Sequence, residues 1–275
     1  FVGFFGEKVS KLVTGGRYRP LSIATFAVEY EISRKWKGDT RDEITDKNII
    51  LGEDDKFLAP AFSHFINILL FILTCFLLYR ILKNVLPKKE QPFYFSLAFI
   101  ATMLFAAHPI HTEAVTNIKG RDEIMGLLFA LAALQCSLLY VDKKKIGWLF
   151  LSIVLFILGL MAKENVITFL AIVPLTFYFF KYKQGEKLAP YFVSSIVLVF
   201  STALYLVLRN AYTESGITAD STEILNNPFA FTNGSFELRY ATIIYTFLQY
   251  FKLLLFPIWL THDYYYNQIP YREFA

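Results

Sequence analysis

Long apolar stretches separated by short polar connectors dominate this sequence. A helix that crosses a membrane needs about 20 mostly apolar residues, and flanking lysine and aromatic side chains can extend a shorter helix to the membrane surface. Six stretches qualify, at residues 57–79, 93–107, 124–141, 146–162, 166–180 and 188–208. None alternates apolar and polar residues over strand-length units, which argues against an outer-membrane barrel. The sequence therefore predicts an all-α, polytopic membrane protein.

The composition agrees with this class. The chain is 55% hydrophobic and only 18% charged, whereas a soluble domain averages about 45–50% apolar and about 25% charged residues. The net charge of +4 comes from lysines in short connectors rather than on one polar face, which argues against binding nucleic acid. Cys75 and Cys136 both lie inside apolar stretches, so we expect neither a disulfide nor a metal there.

Lysine and arginine residues collect in alternate connectors and so predict the orientation of the chain. The connectors after the first, third and fifth stretches carry this excess, at Arg80, Lys83, Lys88, Lys89, Lys143, Lys144, Lys145, Lys181, Lys183 and Lys187. The positive-inside rule places these connectors in the cytoplasm. The remaining connectors then face outward, which in a bacterial inner (plasma) membrane is the periplasmic side.

On this topology the chain divides into three regions. They are an outer-face loop with an interfacial helix at 1–56, a six-span transmembrane core at 57–208, and an outer loop plus a seventh helix at 209–275. The first region has apolar residues at helical spacing near residues 20–30, which is typical of a helix along the membrane surface. The seventh segment, at 240–260, contains Lys252 and Pro257, and it either crosses the membrane or re-enters on the same side. That choice decides the side on which Asp263 lies.

Polar residues at the predicted outer ends form short, dense clusters, and charges beside hydrocarbon usually mark a functional site. The clearest cluster contains His108, His111 and Glu113, whose side chains can transfer protons near neutral pH. Lys119 and Arg121 follow, and a guanidinium can clamp a phosphate with two hydrogen bonds. The alternative is a solvated turn whose charges pair locally. Two histidines and both charge signs in one connector favour a site for an anionic head group.

The spacing of the two histidines also resembles that of metal ligands, with Glu113 near them. However, Pro109 between them breaks the helical register, and no second ligand pair appears in the sequence. We therefore predict no metal at His108, His111 and Glu113.

Two further clusters carry cations at predicted membrane boundaries. Lys163 and Glu164 lie between two stretches with almost no connector, so the lysine is placed to hold a lipid phosphate or to form an interfacial ion pair. Arg17 and Arg19 precede the interfacial helix and suit either a head-group contact or a general lipid anchor. His64 lies near the outer end of the first stretch, where it lines the same cavity or packs as a satisfied polar side chain.

Ordered motifs connect these clusters to a known family. They are Gly-Arg-Tyr-Arg-Pro-Leu-Ser at 16–22, Ser-His-Phe-Ile-Asn-Ile-Leu-Leu at 63–70, His-Pro-Ile-His-Thr-Glu-Ala-Val at 108–115, Gly-Arg-Asp-Glu at 120–123, Ala-Lys-Glu-Asn at 162–165, Asn-Asn-Pro-Phe-Ala at 226–230 and Leu-Leu-Leu-Phe-Pro-Ile-Trp-Leu-Thr-His-Asp-Tyr at 253–264. In this order the motifs resemble the transmembrane-and-tetratricopeptide-repeat O-mannosyltransferases and their bacterial relatives. The resemblance covers nearly the whole chain, and the block at 108–115 is its most specific element.

The resemblance implies a GT-C-type helical bundle that takes a sugar from a polyprenyl-phosphate donor. Such enzymes attach the sugar to a hydroxyl of a protein or glycan on the outer or lumenal face of the membrane. The donor is a substrate, and we name no certain cofactor. The family's catalytic acid lies in the first outer loop, and its tetratricopeptide repeats lie downstream. We therefore expect residues to be missing at both ends, with the main acid upstream of Phe1.

The resemblance also implies roles for individual residues. The donor-phosphate contacts are Arg19, Arg121 and Lys163, the catalytic candidates are Glu113 and Asp122, and the sugar and acceptor pocket contains His108, His111, His64, Glu164 and, if the last segment stays outside, Asp263. The expected partners are the lipid-linked sugar, membrane lipids and a protein or glycan acceptor. The chemistry is consistent, because a carboxylate can activate an acceptor hydroxyl and cations can stabilise a departing phosphate.

Two other functions remain open on the sequence. A transporter or flippase often has inverted repeats and ionisable residues at mid-membrane depth, whereas the ionisable residues here cluster at the ends of the stretches and no repeat is visible. A non-catalytic membrane subunit that docks partners through its outer loops is the second alternative. The ordered motifs favour the transferase.

Overall fold

The computed structural model of the chain describes residues 19–36, 60–87, 92–182, 187–212, 236–258 and 269–273. Throughout these residues the regular structure is helical, and no strand occurs among them. The prediction of an all-α protein is therefore confirmed.

The helices follow the predicted apolar stretches. They are α1 (Pro20–Trp36), α2 (Pro60–Val85), α3 (Leu97–Ala107), α4 (Thr112–Thr116), α5 (Arg121–Lys143), α6 (Ile146–Ala162), α7 (Phe169–Thr176), α8 (Ala189–Tyr212) and α9 (Phe236–Leu255). Short 3-10 turns form at Phe93–Phe95, Pro109–His111, Ile118–Gly120 and Glu164–Thr168, and a π turn forms at Phe177–Lys181. Each of the six predicted stretches overlaps at least one helix, and the seventh segment overlaps α9.

Four helical segments among the described residues are long and apolar enough to cross a membrane. They are Ala61–Val85, Ile118–Lys143, Glu164–Lys181 and Ala189–Ala211. The other two predicted spans form the shorter apolar helices α3, of 11 residues, and α6, of 17 residues. The chain is therefore a multi-pass membrane protein, and α3 and α6 need flanking residues to reach both surfaces.

The chain divides into two compact units. The larger unit contains Tyr18–Ala107 and Ala114–Arg209, and the smaller unit includes His108–Glu113 and Asn210–Ala275. The three-region division predicted from the sequence stays a prediction.

Helices α5 and α6 form the centre of the larger unit, where small residues allow close packing. The Ser137 and Ser152 hydroxyls lie 2.8 Å apart across this interface, and Ser152 also donates to the carbonyl of Ala133 at 2.9 Å. A Cβ added at Gly159 would lie 3.3 Å from Cβ of Phe129 on α5. Small side chains and interhelical hydrogen bonds are the usual means by which membrane helices associate.

Side chains from α2, α7 and α8 complete the core around this pair. Ile81 of α2, Val173 of α7 and Leu198 of α8 are buried in the same cluster as Leu138 and Phe156. The core therefore contains contributions from all four segments of spanning length.

The surface of α2 has the polarity expected for a helix in contact with lipid. Phe65, Ile72 and Phe76 are exposed, whereas Asn67 and Thr74 are fully buried. Thr74 satisfies its hydroxyl by donating to the carbonyl of Leu70 at 2.8 Å. Large apolar side chains therefore face outward, and polar side chains face the protein interior.

The segment that contains α7 is irregular at both ends. It begins with the 3-10 turn after α6, contains Pro174, and widens into the π turn that ends at Lys181. Proline removes a backbone donor and crowds the preceding turn, and π turns often adjust helices near functional residues. This segment has Glu164 at one end and Lys181 at the other.

Helix α1 packs against the rest of the larger unit through polar side chains. Ser22 and Glu29 are buried, whereas Ile23 and Tyr30 are about half exposed. The Ser22 hydroxyl donates to the carbonyl of Ala162, at the end of α6, at 3.4 Å. The helix predicted near residues 20–30 therefore exists, and the residues that it buries against the protein are polar.

The smaller unit is built on α9. The backbone N–H of Arg272 donates to the Thr242 hydroxyl at 3.0 Å, and the Arg272 guanidinium lies 4.7 Å from the centre of the Tyr245 ring. Helix α9 ends at Leu255, before Pro257, as expected because the residue before a proline disfavours helical geometry. Helix α9 is not among the four segments of spanning length.

Candidate functional site

Arg19 bridges two carboxylates that are far apart in the sequence. Its Nη1 atom donates to Oδ2 of Asp122, and its Nε atom lies 3.5 Å from Oε2 of Glu164. Arg19 precedes α1, Asp122 lies in the first turn of α5, and Glu164 begins the turn after α6. One guanidinium therefore joins three elements at one end of the larger unit.

The surroundings of Arg19 keep its charge in place. Burial lowers the pKa of the Arg19 guanidinium, but its pairing with the carboxylates of Glu164 and Asp122 outweighs this effect and raises the pKa above its ordinary value. The Asp122 side chain is only 9% exposed, whereas that of Glu164 is 36% exposed. Glu164 is therefore the more accessible carboxylate to a solute.

A second ion pair lies directly beside the first. Nζ of Lys163 contacts Oε1 of Glu123, and the Glu123 side chain is 48% exposed. A Cβ added at Gly126 would lie 3.2 Å from Cβ of Lys163, so the missing side chain at Gly126 leaves room for the lysine stem. The start of α5 and the α6–α7 junction thus present two adjacent cation–carboxylate pairs.

Arg121 lies in a buried polar network behind these pairs. Its side chain is 1% exposed, and its Nη1 atom lies 2.7 Å from the carboxylate of Glu29 on α1. Its Nε atom donates to Oδ1 of Asn67 at 3.0 Å, and its guanidinium lies 4.3 Å from the centre of the Phe26 ring. The hydroxyl of Ser63 donates to Glu29. Arg121 thereby joins α1, α2 and α5.

The turn before α5 depends on Gly120. Asn117 accepts from the backbone N–H of Lys119 through its side chain, at 3.0 Å, and from Asn67 through its carbonyl, at 3.1 Å. A Cβ at Gly120 would overlap the backbone carbonyl of Ala114. Only glycine fits there without moving the backbone, so the turn that presents the first residues of α5 requires it.

Comparison with known proteins identifies the family. The family described as "Dolichyl-phosphate-mannose-protein mannosyltransferase" matches residues 63–208, which is more than half of the chain. The chain belongs to this mannosyltransferase family. The resemblance inferred from the ordered motifs is confirmed.

Several curated relatives of this mannosyltransferase-family chain are named as protein O-mannosyl-transferases. F38B6.6 of Caenorhabditis elegans is 29% identical over 262 residues, which are 95% of this chain and 32% of the relative. Human TMTC3 is 27% identical over 231 residues, 75% of this chain and 22% of the relative. Human TMTC1 is 34% identical over 134 residues, 48% of this chain and 12% of the relative. This chain thus spans about a third or less of their length. No solved structure matches it significantly.

The mannosyltransferase match includes most of the site, but not all of it. Asp122, Lys163 and Glu164 lie within residues 63–208, whereas Arg19 and Glu29 precede the match. Arg19, just before α1, and Glu29, on α1, therefore add a cation and a carboxylate to a site whose other residues lie in the matched region.

His108, His111 and Glu113 belong to the smaller unit. Nδ1 of His108 accepts from the N–H of Ile110 at 3.2 Å, so Nε2 carries the proton and donates to the carbonyl of Leu254 at 3.0 Å. The two histidine rings lie 6.2 Å apart. Burial and the neighbouring His108 lower the pKa of His111. Glu113 is exposed. Their predicted roles in the pocket stay predictions.

The predicted pocket residues His64 and Asp263 differ in whether the structure describes them. His64 is half-buried on α2. Ser63 and Asn67, on the same helix, both contact the buried network. Asp263 lies outside the described residues, as does Arg17 of the first motif.

Glu29, the carboxylate that pairs with Arg121, was not predicted from the sequence. A signal was present, because Ser22, Phe26 and Glu29 are spaced four and three residues apart and so share one helix face. We interpreted α1 from its apolar residues alone. A carboxylate on the same face as Phe26 indicates a buried partner of opposite charge.

Proposed function

We propose that this chain forms the outer-face site of a membrane mannosyltransferase. The enzyme transfers a mannosyl group from a polyprenyl-phosphate donor to a hydroxyl of a protein or glycan. Family membership supports the reaction class. The observation that carries the site is Arg19, held between Asp122 and Glu164, beside the pair formed by Lys163 and Glu123.

The reaction needs one base and at least one cation. The bond between the sugar C1 and the donor phosphate oxygen breaks, the acceptor oxygen bonds to C1, and the acceptor proton passes to a carboxylate. The leaving polyprenyl phosphate keeps the electrons of the broken bond, so a nearby ammonium or guanidinium stabilises it. Two cations among several carboxylates supply both kinds of group.

We assign the donor phosphate to Lys163 and Arg19. Both cations lie in the partly exposed row of ion pairs, and an incoming phosphate can exchange with the exposed carboxylate of Glu123 or Glu164. Asp122, held by Arg19, orients that guanidinium or contacts the sugar. We keep Glu113 and Asp122 as the catalytic candidates.

Arg121 has a different role in this proposal. The motifs predicted that Arg121 contacts the donor directly. However, the Arg121 side chain is only 1% exposed and pairs with Glu29, which favours an indirect role. We propose that it holds α1 against α5 and so sets the distance between Arg19 and Asp122. Arg121 is therefore a positioning residue.

The remaining pocket residues and the orientation belong to the same proposal. His108, His111, His64, Glu164 and Asp263 are proposed to contact the sugar or the acceptor. The site faces away from the cytoplasm, which is the periplasm in a bacterial membrane, because the lysine-rich connectors lie at the opposite ends of the spans. The donor is the lipid-linked substrate, and the acceptor is a protein or glycan.

The test uses the full-length protein in membranes supplied with polyprenyl-phosphate mannose and a hydroxyl-bearing peptide. Arg19→Ala and Lys163→Ala are each expected to lower the transfer rate about 100-fold or more, as losses of preorganised cations do. Lys83→Ala is the matched control, because Lys83 is exposed near the other end of α2. It should retain the wild-type rate.

Wild-type rates in both Arg19→Ala and Lys163→Ala would show that these residues do not hold the donor. Ion-dependent uptake of a solute by the reconstituted protein, without transfer, would instead support a transporter. Binding of a partner without either activity would support a non-catalytic subunit.

A further inference from the structure

A cavity of about 600 Å³ opens at the opposite end of the larger unit from the candidate site. Asp142 and Lys144, at the end of α5, line it together with Lys181, Lys187 and Tyr191. Asp122 and Asp142 lie near opposite ends of α5, which at 1.5 Å per residue separates them by about 30 Å. The size lies within the range of small-molecule sites, about 300–1,000 Å³.

The lining of this cavity favours an anion. Three lysines face one carboxylate, and that carboxylate is already paired, because Nζ of Lys181 lies 3.1 Å from both oxygens of Asp142. Lys181 also donates to Oδ1 of Asn84 at 3.2 Å. Among the described lining residues, the charges of Lys144, at the end of α5, and of Lys187, before α8, are therefore in excess.

The backbone adds to this positive potential. Helix α8 has 24 residues and begins at Ala189, and Pro190 and Tyr191 of its first turn line the cavity. Unpaired N–H groups and the helix dipole make a helix N-terminus attractive to phosphate and other anions. Pro190 has no N–H, and the N–H of Phe192 already donates to the carbonyl of Leu188 at 3.0 Å. The terminus therefore contributes mainly its dipole to the lysine-lined cavity.

Lys144 occupies a position where glycine would be the ordinary choice. It ends α5 in the left-handed conformation, with φ of 56°, and glycine adopts this conformation without strain. In that conformation Nζ of Lys144 lies 5.9 Å from the centre of the Tyr191 ring, at the cavity. A lysine at a position that favours glycine is consistent with a role for its ammonium group in binding a ligand at the cavity.

Exposed aromatic side chains lie next to the cavity-lining residues in the sequence, and Phe180 itself lines the cavity. Tyr178, Phe179 and Phe180 are each at least half exposed just before Lys181, and Phe192 is exposed at the start of α8. Such aromatic belts mark the boundary between lipid and water. The cavity therefore lies at the level of lipid head groups.

We propose that this cavity binds the phosphate of an anionic lipid head group in the leaflet opposite the candidate transferase site. Lys144 and Lys187 contact the phosphate, the N-terminus of α8 adds its dipole, and Phe180 and Phe192 contact the adjoining glycerol and acyl groups. A soluble phosphate shares the head-group chemistry, so the experiment includes both sources. The aromatic surroundings and the basic membrane-side pocket favour the lipid.

The experiment measures retained lipid on the purified full-length protein by native mass spectrometry. The probes are phosphatidylglycerol and phosphatidylcholine, added separately in the same detergent. Phosphatidylglycerol should be retained in preference to phosphatidylcholine. Lys144→Gly and Lys187→Gln should each weaken its binding about fivefold. Lys83→Gln is the matched control, with the same loss of charge from an exposed lysine near the end of α2, and should bind as the wild type does.

Lys144→Gly has a second use, because it removes the cation and the strained backbone together. Its thermal midpoint should equal or exceed that of the wild type, so weaker binding cannot be attributed to unfolding. Equal retention of the two lipids, or undiminished binding in both lysine variants, overturns the proposal. Displacement of the lipid by glycerol 3-phosphate at a similar concentration identifies a soluble ligand and overturns the lipid assignment. No sugar donor is present, so the result is independent of the proposed transfer reaction.

Discussion

The guanidinium of Arg121 lies 2.7 Å from the carboxylate of Glu29, and both side chains are buried. This pair connects α1 to α5 at the end of the larger unit that carries the candidate site. The Ser63 hydroxyl and the Asn67 amide complete the coordination from α2. The two partly exposed ion pairs that include Arg19 and Lys163 lie beside this buried network, and we propose that the network sets their geometry.

Glu29→Gln should destabilise the protein strongly. It leaves the Arg121 charge buried without its carboxylate partner, which typically costs about 3–5 kcal/mol. The measurement is the thermal midpoint of the purified protein in detergent. Glu237→Gln is the control, because Glu237 is exposed in the first turn of α9 and loses the same charge. Equal midpoints for the two variants would contradict a structural role for the buried pair.

Gly120→Ala should disrupt the turn before α5, because the new methyl group would overlap the backbone of Ala114. Gly147→Ala introduces the same group in the first turn of α6, where nothing lies within 4 Å. There alanine should stabilise the helix by up to about 1 kcal/mol. Thermal midpoints should therefore move in opposite directions, down for Gly120→Ala and level or up for Gly147→Ala. A fall of similar size in both would show that the turn does not require glycine.

Ser152→Ala should weaken the interface between α5 and α6 more than Ser137→Ala does. The Ser152 hydroxyl takes part in two of the interhelical hydrogen bonds, with Ser137 and with the Ala133 carbonyl, whereas Ser137 takes part in one of them. Each such bond contributes about 0.6 kcal/mol in membrane proteins. Thermal unfolding of the two single variants and the double variant measures this order. A larger loss from Ser137→Ala would contradict the geometry.

His111 should titrate below the ordinary histidine pKa of about 6.5, because burial and the nearby His108 lower its pKa. The unfolded chain then binds the proton more readily than the folded chain does. The free energy of unfolding therefore falls as the pH drops below about 6.5, and it levels off below the folded pKa. Nuclear magnetic resonance of labelled histidines measures the titration directly.

His108→Ala provides the corresponding control for that titration. It removes the neighbouring imidazole and leaves part of the burial, so the pKa of His111 should rise toward its ordinary value. An unchanged His111 titration in this variant would exclude His108 as a cause.

Helix positions could be predicted well from this sequence. The apolar stretch at 57–79 overlaps α2, and the stretch at 124–141 lies within α5, because a membrane span requires a local run of apolar residues. The lengths of the helices could be predicted less well from the sequence than their positions. Helices α3 and α6 are shorter than the four segments of spanning length, and their ends depend on neighbouring turns rather than on composition.

The candidate site could be predicted in part. Ordered motifs singled out Arg19, Asp122 and Glu164, and the structure brings these three side chains together. The motifs predicted the same role, contact with the donor phosphate, for Arg121 and Arg19. In the structure Arg121 is buried, whereas Arg19 is partly exposed. Glu29 was missed altogether, because the partner of a buried charge is decided by which helix packs over it.

By itself the sequence determined the membrane class, the helical stretches and the family, since hydrophobic length and ordered motifs are local properties of the chain. Only the tertiary structure decided that Arg19 meets Asp122, 103 residues away, while Arg121 turns toward Glu29. Both arginines carry the same charge, and each lies directly before or at the start of a helix. Helix packing distinguishes them, because it buries one guanidinium against α1 and leaves the other at the edge of the site.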